Sequence, residues 1–231
     1  ATAASPRPTN SSLAVTPTAT PYAPRRRSRS IIYARHMLDD RVRSVLARME
    51  AEDAADREKD LPVSERSLAV GPDSGRLLFA LVAPNAGCEV LEIGGSHGYS
   101  TVWLASAARI LGGRVVTLEQ DTGKIEAWRR NIADAGLEEW AELIEGDAKE
   151  TLRELEDGFD VVFLDAWKDD YELLFGLART KLDPGGIVVA DNVTTSSTVE
   201  AYAAARQADP TLVSVTVPIG HGLEVTTVLQ P

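Results

Sequence analysis

Apolar positions along this chain follow two periods, and the changeover between them lays out the fold. Ile32, Met37, Leu38, Val42, Val45, Leu46 and Met49 recur at helical spacing among charges, predicting a helix over 31–60 that Pro62 ends. A second helix is entered from Ser67 and reaches about Val82, with Asp73 or Ser74 as its cap. From there short apolar runs alternate with helical stretches. Strands at 88–93, 114–119, 141–145, 160–165 and 186–191 lead to helices at 98–111, 122–135, 148–156, 169–182 and 196–207. Gly136 closes the second of these helices. Two last runs, 211–217 and 222–229, flank Pro218-Ile-Gly-His-Gly222 and read as an antiparallel hairpin. Five strand–helix units and a closing hairpin predict an α/β fold. It is a doubly wound, mostly parallel seven-stranded sheet with helices on both faces. Residues 31–231 then form a single domain, with N-terminal helices at 31–83 and an α/β core at 88–231.

Composition changes this picture at the N-terminus. Residues 1–30 are rich in Pro, Ser, Thr and Ala, end in Arg25-Arg26-Arg27-Ser28-Arg29 and read as an extension. The chain carries net −11, and its first thirty residues hold five arginines and no acid, so the remainder carries −16. An acidic body counts against a broad nucleic-acid-binding face. One cysteine, Cys88, excludes an intrachain disulfide and fits a reducing compartment. No apolar run approaches the ~18 residues of a membrane span, and nothing resembles a signal peptide, so the expected location is cytoplasmic.

Ligands in doubly wound sheets lie beyond the carboxyl ends of the strands, so those ends hold the candidate chemistry. The first is Val90-Leu-Glu-Ile-Gly-Gly-Ser-His-Gly-Tyr-Ser100, a buried strand that breaks at glycines and re-enters a helix. Such a turn lets backbone approach a ligand and offers free N–H groups at a helix start. Its register, Glu92-x-Gly94-x-x-x-Gly98, is not the G-x-G-x-x-G of dinucleotide binders. Glu119, 21 residues after Gly98, ends the second strand, where an acid binds ribose hydroxyls or is simply solvated. Asp147, after the third, either meets an adenine amino group or caps the next helix. Strand four ends at Asp165-Ala-Trp-Lys-Asp-Asp-Tyr171 and strand five at Asp191-Asn192. If these ends are neighbours, Asp165, Asp191 and Asn192 present oxygen ligands suited to a hard divalent cation such as Mg²⁺. Trp167 and Tyr171 could wall a flat substrate, although Trp167 reads equally as core. His97 and His221 either line a pocket or are ordinary turn residues.

The run Asp-x-Trp-Lys-Asp-x-Tyr followed by Ala-Asp-Asn-Val resembles the cation-dependent S-adenosylmethionine O-methyltransferases, the catechol and caffeoyl-coenzyme A enzymes among them. The glycine turn resembles motif I of class I methyltransferases, and Ala69-Val-Gly-Pro-Asp-Ser-Gly75 matches the family's first cofactor-facing segment. The resemblance spans about 64–229. It implies Asp165, Asp191 and Asn192 as metal ligands and Lys168 as general base. Val70, Glu92, Gly94, Ser96, Tyr99, Ser100, Glu119, Asp147, Ala148 and Asp165 would surround S-adenosyl-L-methionine. Trp167, Tyr171 and His221 would face a small aromatic acceptor. Three departures bear on substrate fit: no glutamate near the C-terminus matches the one that holds the second catechol hydroxyl in the animal enzymes, His221 stands where relatives often have Asp, and Ala166 replaces a polar residue. The implied activity is methyl transfer to one hydroxyl of a catechol-like diol, with a homodimer as the expected assembly. Two other readings stay open: O-methylation of a hydroxylated tRNA base, favoured only by Arg25–Arg29, and a non-catalytic cofactor-binding protein.

Overall fold

The computed structural model describes residues 38–62, 66–67 and 69–229. The N-terminal extension and the first part of the predicted 31–60 helix, with Ile32 and Met37, lie outside the described residues. Asp39 starts α1 (Asp40–Glu58): its carboxylate accepts the Val42 N–H at 3.0 Å, satisfying a donor that the first helical turn leaves open. Helix α2 (Pro72–Val82) begins behind Gly71, and neither Asp73 nor Ser74 caps it. Pro72 takes the first position because its missing N–H would have no helical partner there.

The alternation then runs as expected: β1 (Glu89–Ile93), α3 (Tyr99–Ala108), β2 (Arg114–Glu119), α4 (Thr122–Ala135), β3 (Ala141–Glu145), α5 (Ala148–Glu154), β4 (Phe159–Leu164), α6 (Tyr171–Ala178), β5 (Leu182–Ala190), α7 (Ser197–Ala208), β6 (Leu212–Val217) and β7 (Leu223–Val228). The predicted 98–111 helix ends earlier, in a 3₁₀ turn over Arg109–Leu111. The predicted 169–182 helix is shorter than expected. Its α part is Tyr171–Ala178, with 3₁₀ turns at Lys168–Asp170 and Arg179–Lys181. Correspondingly β5 starts at Leu182, since Phe159 pairs with Leu182 across an irregularity that absorbs the Pro184-Gly-Gly turn signal.

The seven strands are ordered β3-β2-β1-β4-β5-β7-β6. All pairs are parallel except β5 with β7 and β7 with β6. Alternate residues of the central strands face two cores. Val90, Val115, Val161, Phe163 and Val189 pack under α1–α4, while Leu91, Val116, Leu118, Val162 and Leu164 pack under α5–α7. The chain winds one way from β1 through β3 and the other way from β4 through β5. The crevice therefore opens where β1 and β4 diverge. No helix among the described residues is long and apolar enough to cross a membrane.

Candidate active site

A cleft of about 720 Å³ lies over the carboxyl ends of β1 through β5. The sequence candidates line it, apart from Glu92, His97 and Tyr171. Strand register explains the convergence. Ile93 pairs with Leu164 and Leu164 with Ala190, so Gly94, Asp165 and Asp191 are the next residues on three adjacent strands. The Asp165 N–H bonds Ile93 O at 2.9 Å and the Asp191 N–H bonds Leu164 O at 3.0 Å, which carries the ladder one step past each strand.

Glu92 lies beneath the cleft rather than in its wall, on the face of β1 shared with Val90, and is 0% exposed. Its oxygens accept from the Ser100, Thr101 and Thr117 hydroxyls. Trp128 Nε1 donates to Thr101 Oγ1 at 2.9 Å and extends the network to α4. Glu92 thus anchors the first turn of α3 to β1. Burial pushes its carboxyl up to about 7, against the opposing pull of the three hydroxyls, with the Asp165 charge adding to the rise. A carboxyl raised from 4.5 to about 7 on folding contributes stability that is fully present below pH 4.5 and is lost as pH rises through 7. Against a Glu92→Gln variant, the wild type should therefore lose about 3 kcal/mol of relative stability between those limits. Urea melts of both proteins across the window measure this, and a pH-independent difference would refute it.

Above Glu92 the glycine turn brings main chain to the cleft. Ser96, at φ 45°, donates its N–H to Glu119 Oε2 at 2.8 Å and its hydroxyl to Ser67 O at 3.2 Å. Glu119 also accepts the Gln120 and Asp121 N–H groups at 2.8 and 2.9 Å through Oε1. It is therefore a fixed acid at the end of β2 and not a freely solvated one. Tyr99 lines the cleft, and its hydroxyl donates to Glu50 on α1 at 2.7 Å. Burial holds that phenol above its ordinary value, so it stays neutral. Asp147 is the N-cap of α5, with Oδ1 taking the Lys149 N–H at 2.9 Å, which realises the capping alternative. Val70, Gly94, Ser100 and Ala148 complete this half of the cleft.

The other half carries the charged chemistry. Lys168 Nζ donates to Asp165 Oδ1 at 2.7 Å and to Tyr171 Oη at 2.8 Å. Asp191 is 2% exposed, and its Oδ1 is buried with no hydrogen-bond partner. Asn192 donates Nδ2 to the other oxygen, Oδ2, at 2.8 Å, so its amide oxygen is not used in that bond. Burial first, then the neighbouring Asp165 charge, pushes the Asp191 carboxyl above its ordinary value. No cluster of three or more His, Cys, Asp or Glu side chains able to hold a metal occurs among the described residues. The oxygen set here is two carboxylates and one carboxamide. Its orphaned buried Asp191 oxygen and crowded negative charge fit a hard cation of the Mg²⁺ type.

Two aromatic expectations resolve differently. Trp167 is 66% exposed at the cleft mouth, so it is not core. Tyr171 is 1% exposed and lies behind Lys168, so it cannot wall a substrate. It is the first residue of α6, and that helix packs its inner face on the sheet. His221 lines the cleft from the β6–β7 turn, whose carbonyl accepts the Thr194 N–H at 3.1 Å, whereas His97 does not. Sequence reasoning missed Arg57, Ser67, Lys124, Lys149, Asp170 and Thr195, which also line the cleft. Nothing local in α1 flags Arg57. Lys149 was signalled only by adjacency to Ala148 and Asp170 only by adjacency to Tyr171, and their ion pair at 3.2 Å joins α5 to the turn that carries Lys168.

Residues 91–193 match the family described as "Methyltransferase domain". A catechol O-methyltransferase of Niastella koreensis is 37% identical over 131 residues, 55% of this chain and 59% of that protein. The matched region thus spans about three fifths of that relative. The Sus scrofa catechol O-methyltransferase is 30% identical over 138 residues, 56% of this chain and 73% of that protein. Among solved structures, the O-methyltransferase TomG of Streptomyces achromogenes in complex with SAM superposes with a TM-score of 0.67 at 29% identity. That alignment covers 83% of this chain and 91% of TomG.

Proposed function

Because the chain belongs to the cation-dependent S-adenosylmethionine O-methyltransferase family, we propose that it methylates one hydroxyl of a catechol-like small molecule, with Lys168 as general base and Mg²⁺ as the cation. The observation that carries the reading is the meeting of Asp165, Lys168, Asp191 and Asn192 at two adjacent strand ends, beside the glycine turn of β1. S-adenosylmethionine would supply the electrophilic methyl group. A divalent cation held by Asp165, Asp191 and Asn192 would supply Lewis-acid polarisation of a vicinal diol.

The chain's own residues supply position and proton handling. The hydroxyl O–H bond breaks as Lys168 Nζ takes the proton. With S-adenosylmethionine bound, the oxygen freed of its proton by Lys168 would take the methyl group, and the carbon–sulfur bond that breaks would leave a neutral thioether. An anionic oxygen meets a cationic sulfonium, so charge cancels along the path and alignment supplies much of the rate. Glu119, fixed by three N–H donors and lining the cleft, is placed to accept from a ribose hydroxyl. The open N–H groups at the start of α3, over the buried Glu92 network, suit the cofactor's carboxylate. Trp167 at the mouth offers a flat face to an aromatic acceptor.

The test is methyl transfer from S-adenosylmethionine to a panel of catechols and matched monophenols, with Mg²⁺ and with chelator. Turnover is expected on the diols alone and is expected to vanish with chelator. Turnover that ignores the chelator would remove the cation from the reading. Cofactor binding with no turnover on any diol would overturn the acceptor and turn the search to others, a hydroxylated tRNA base among them.

A further inference from the structure

Behind the candidate base stands a side chain that the proposed reaction does not use. Tyr171 Oη lies 2.8 Å from Lys168 Nζ, 3.1 Å from Leu164 O and 3.0 Å from Asp191 O. We infer that Tyr171 is a positioning residue that aims the Lys168 amine at the acceptor hydroxyl; the inference rests on the reading of Lys168 as the base.

The argument is one of donors and acceptors. Both main-chain carbonyls can only accept, so the single phenolic hydrogen is committed to them. The phenol oxygen therefore meets Nζ only as an acceptor. A neutral lysine amine has two N–H bonds and one lone pair. Asp165 Oδ1, at 2.7 Å, and Tyr171 Oη take the two N–H bonds. The lone pair is left with the one remaining tetrahedral direction, and Lys168 lines the cleft. When the acceptor O–H bond breaks and a third N–H bond forms on nitrogen, the first two contacts persist unchanged. Without the phenol oxygen, the amine can rotate about its terminal bond and spend an N–H on the cleft side instead.

The fold holds this arrangement firmly. Leu164 immediately precedes Asp165, and Asp191 is itself a candidate ligand, so the phenol ties the base to the ends of both β4 and β5. The Tyr171 ring is placed independently of its hydroxyl, edge-on to Tyr202 with centroids 5.5 Å apart. A phenylalanine at this position keeps that packing and loses only the oxygen.

The experiment is a double-mutant cycle of Tyr171→Phe and Lys168→Ala, assayed on a catechol with Mg²⁺. Rates are normalised to the sites titrated by S-adenosylhomocysteine, so that any unfolded fraction is discounted. Tyr171→Phe alone should lower kcat by about 10- to 100-fold, the cost typical of a misaligned proton acceptor, with KM for S-adenosylmethionine unchanged. In the Lys168→Ala background the same substitution should change kcat by less than about twofold, because its target is gone. An equal loss in both backgrounds would mean a structural role, and a loss under about threefold in the wild-type background would mean no role; either overturns the inference. Failure of the underlying reading looks different: Lys168→Ala itself would then leave kcat unchanged.

Discussion

Lys168→Ala is expected to lower kcat by about 10²- to 10⁴-fold, the usual worth of a positioned general base. Affinity for the cofactor should change little, because the amine spends its hydrogen bonds on Asp165 and Tyr171. Lys168→Arg separates the base from its charge. A guanidinium can still pair with Asp165, but it does not give up its proton at any working pH. The arginine variant should therefore be as slow as the alanine variant. Single-turnover methyl transfer at saturating cofactor and Mg²⁺ measures both. An arginine variant within tenfold of wild type would show that position 168 supplies charge and not proton transfer.

The second large effect is expected at Gly94. Its φ is +96°, and a Cβ there would lie 2.1 Å from Asp165 O and 2.8 Å from Asp165 C. The obstacle is main chain of the neighbouring strand, which has no rotamer to offer. Gly94→Ala should cost about 3 kcal/mol or more and push Asp165 out of line with Asp191. Gly112 provides the control: its φ is +79°, and a Cβ there meets nothing within 4 Å. Gly112→Ala should pay only the left-handed backbone term, about 1–2 kcal/mol, and keep cofactor affinity. Thermal melts with titration of S-adenosylhomocysteine distinguish the two. Equal losses at both positions would mean that the approach of Asp165 is not what demands glycine at 94.

Periodicity alone identified the strand–helix alternation, because buried parallel strands and amphipathic helices leave different spacings. Element ends were less legible. Asp183-Pro-Gly-Gly186 is a strong turn signal, yet pairing with β4 draws Leu182 into β5, since a ladder partner outweighs a local preference. Asp73 looked like a cap, but Pro72 behind Gly71 starts α2 first. The order of strands is equally a matter of packing: β7 lies between β5 and β6, and no local pattern dictates which arm of a hairpin meets the sheet.

By itself the sequence determined which residue types stand at which strand ends: a glycine turn after β1, an acid after β2, Asp165 and Lys168 after β4, and Asp191-Asn192 after β5. Those assignments follow from where an apolar run stops, which is a local property. Which way each side chain points was decided only by the tertiary structure. Glu92 looks like a ligand contact in sequence, but strand alternation turns it beneath the cleft, against hydroxyls from α3 and β2. Tyr171 and Trp167 read as one aromatic pair, yet the start of α6 buries the first behind Lys168 and leaves the second at the mouth. Arg57 reaches the cleft from the far end of α1, a placement set by how α1 packs rather than by anything near it in the chain. Orientation depends on strand register and on which helix covers which face. Those are contacts between residues distant in sequence, and a single chain read in order does not contain them.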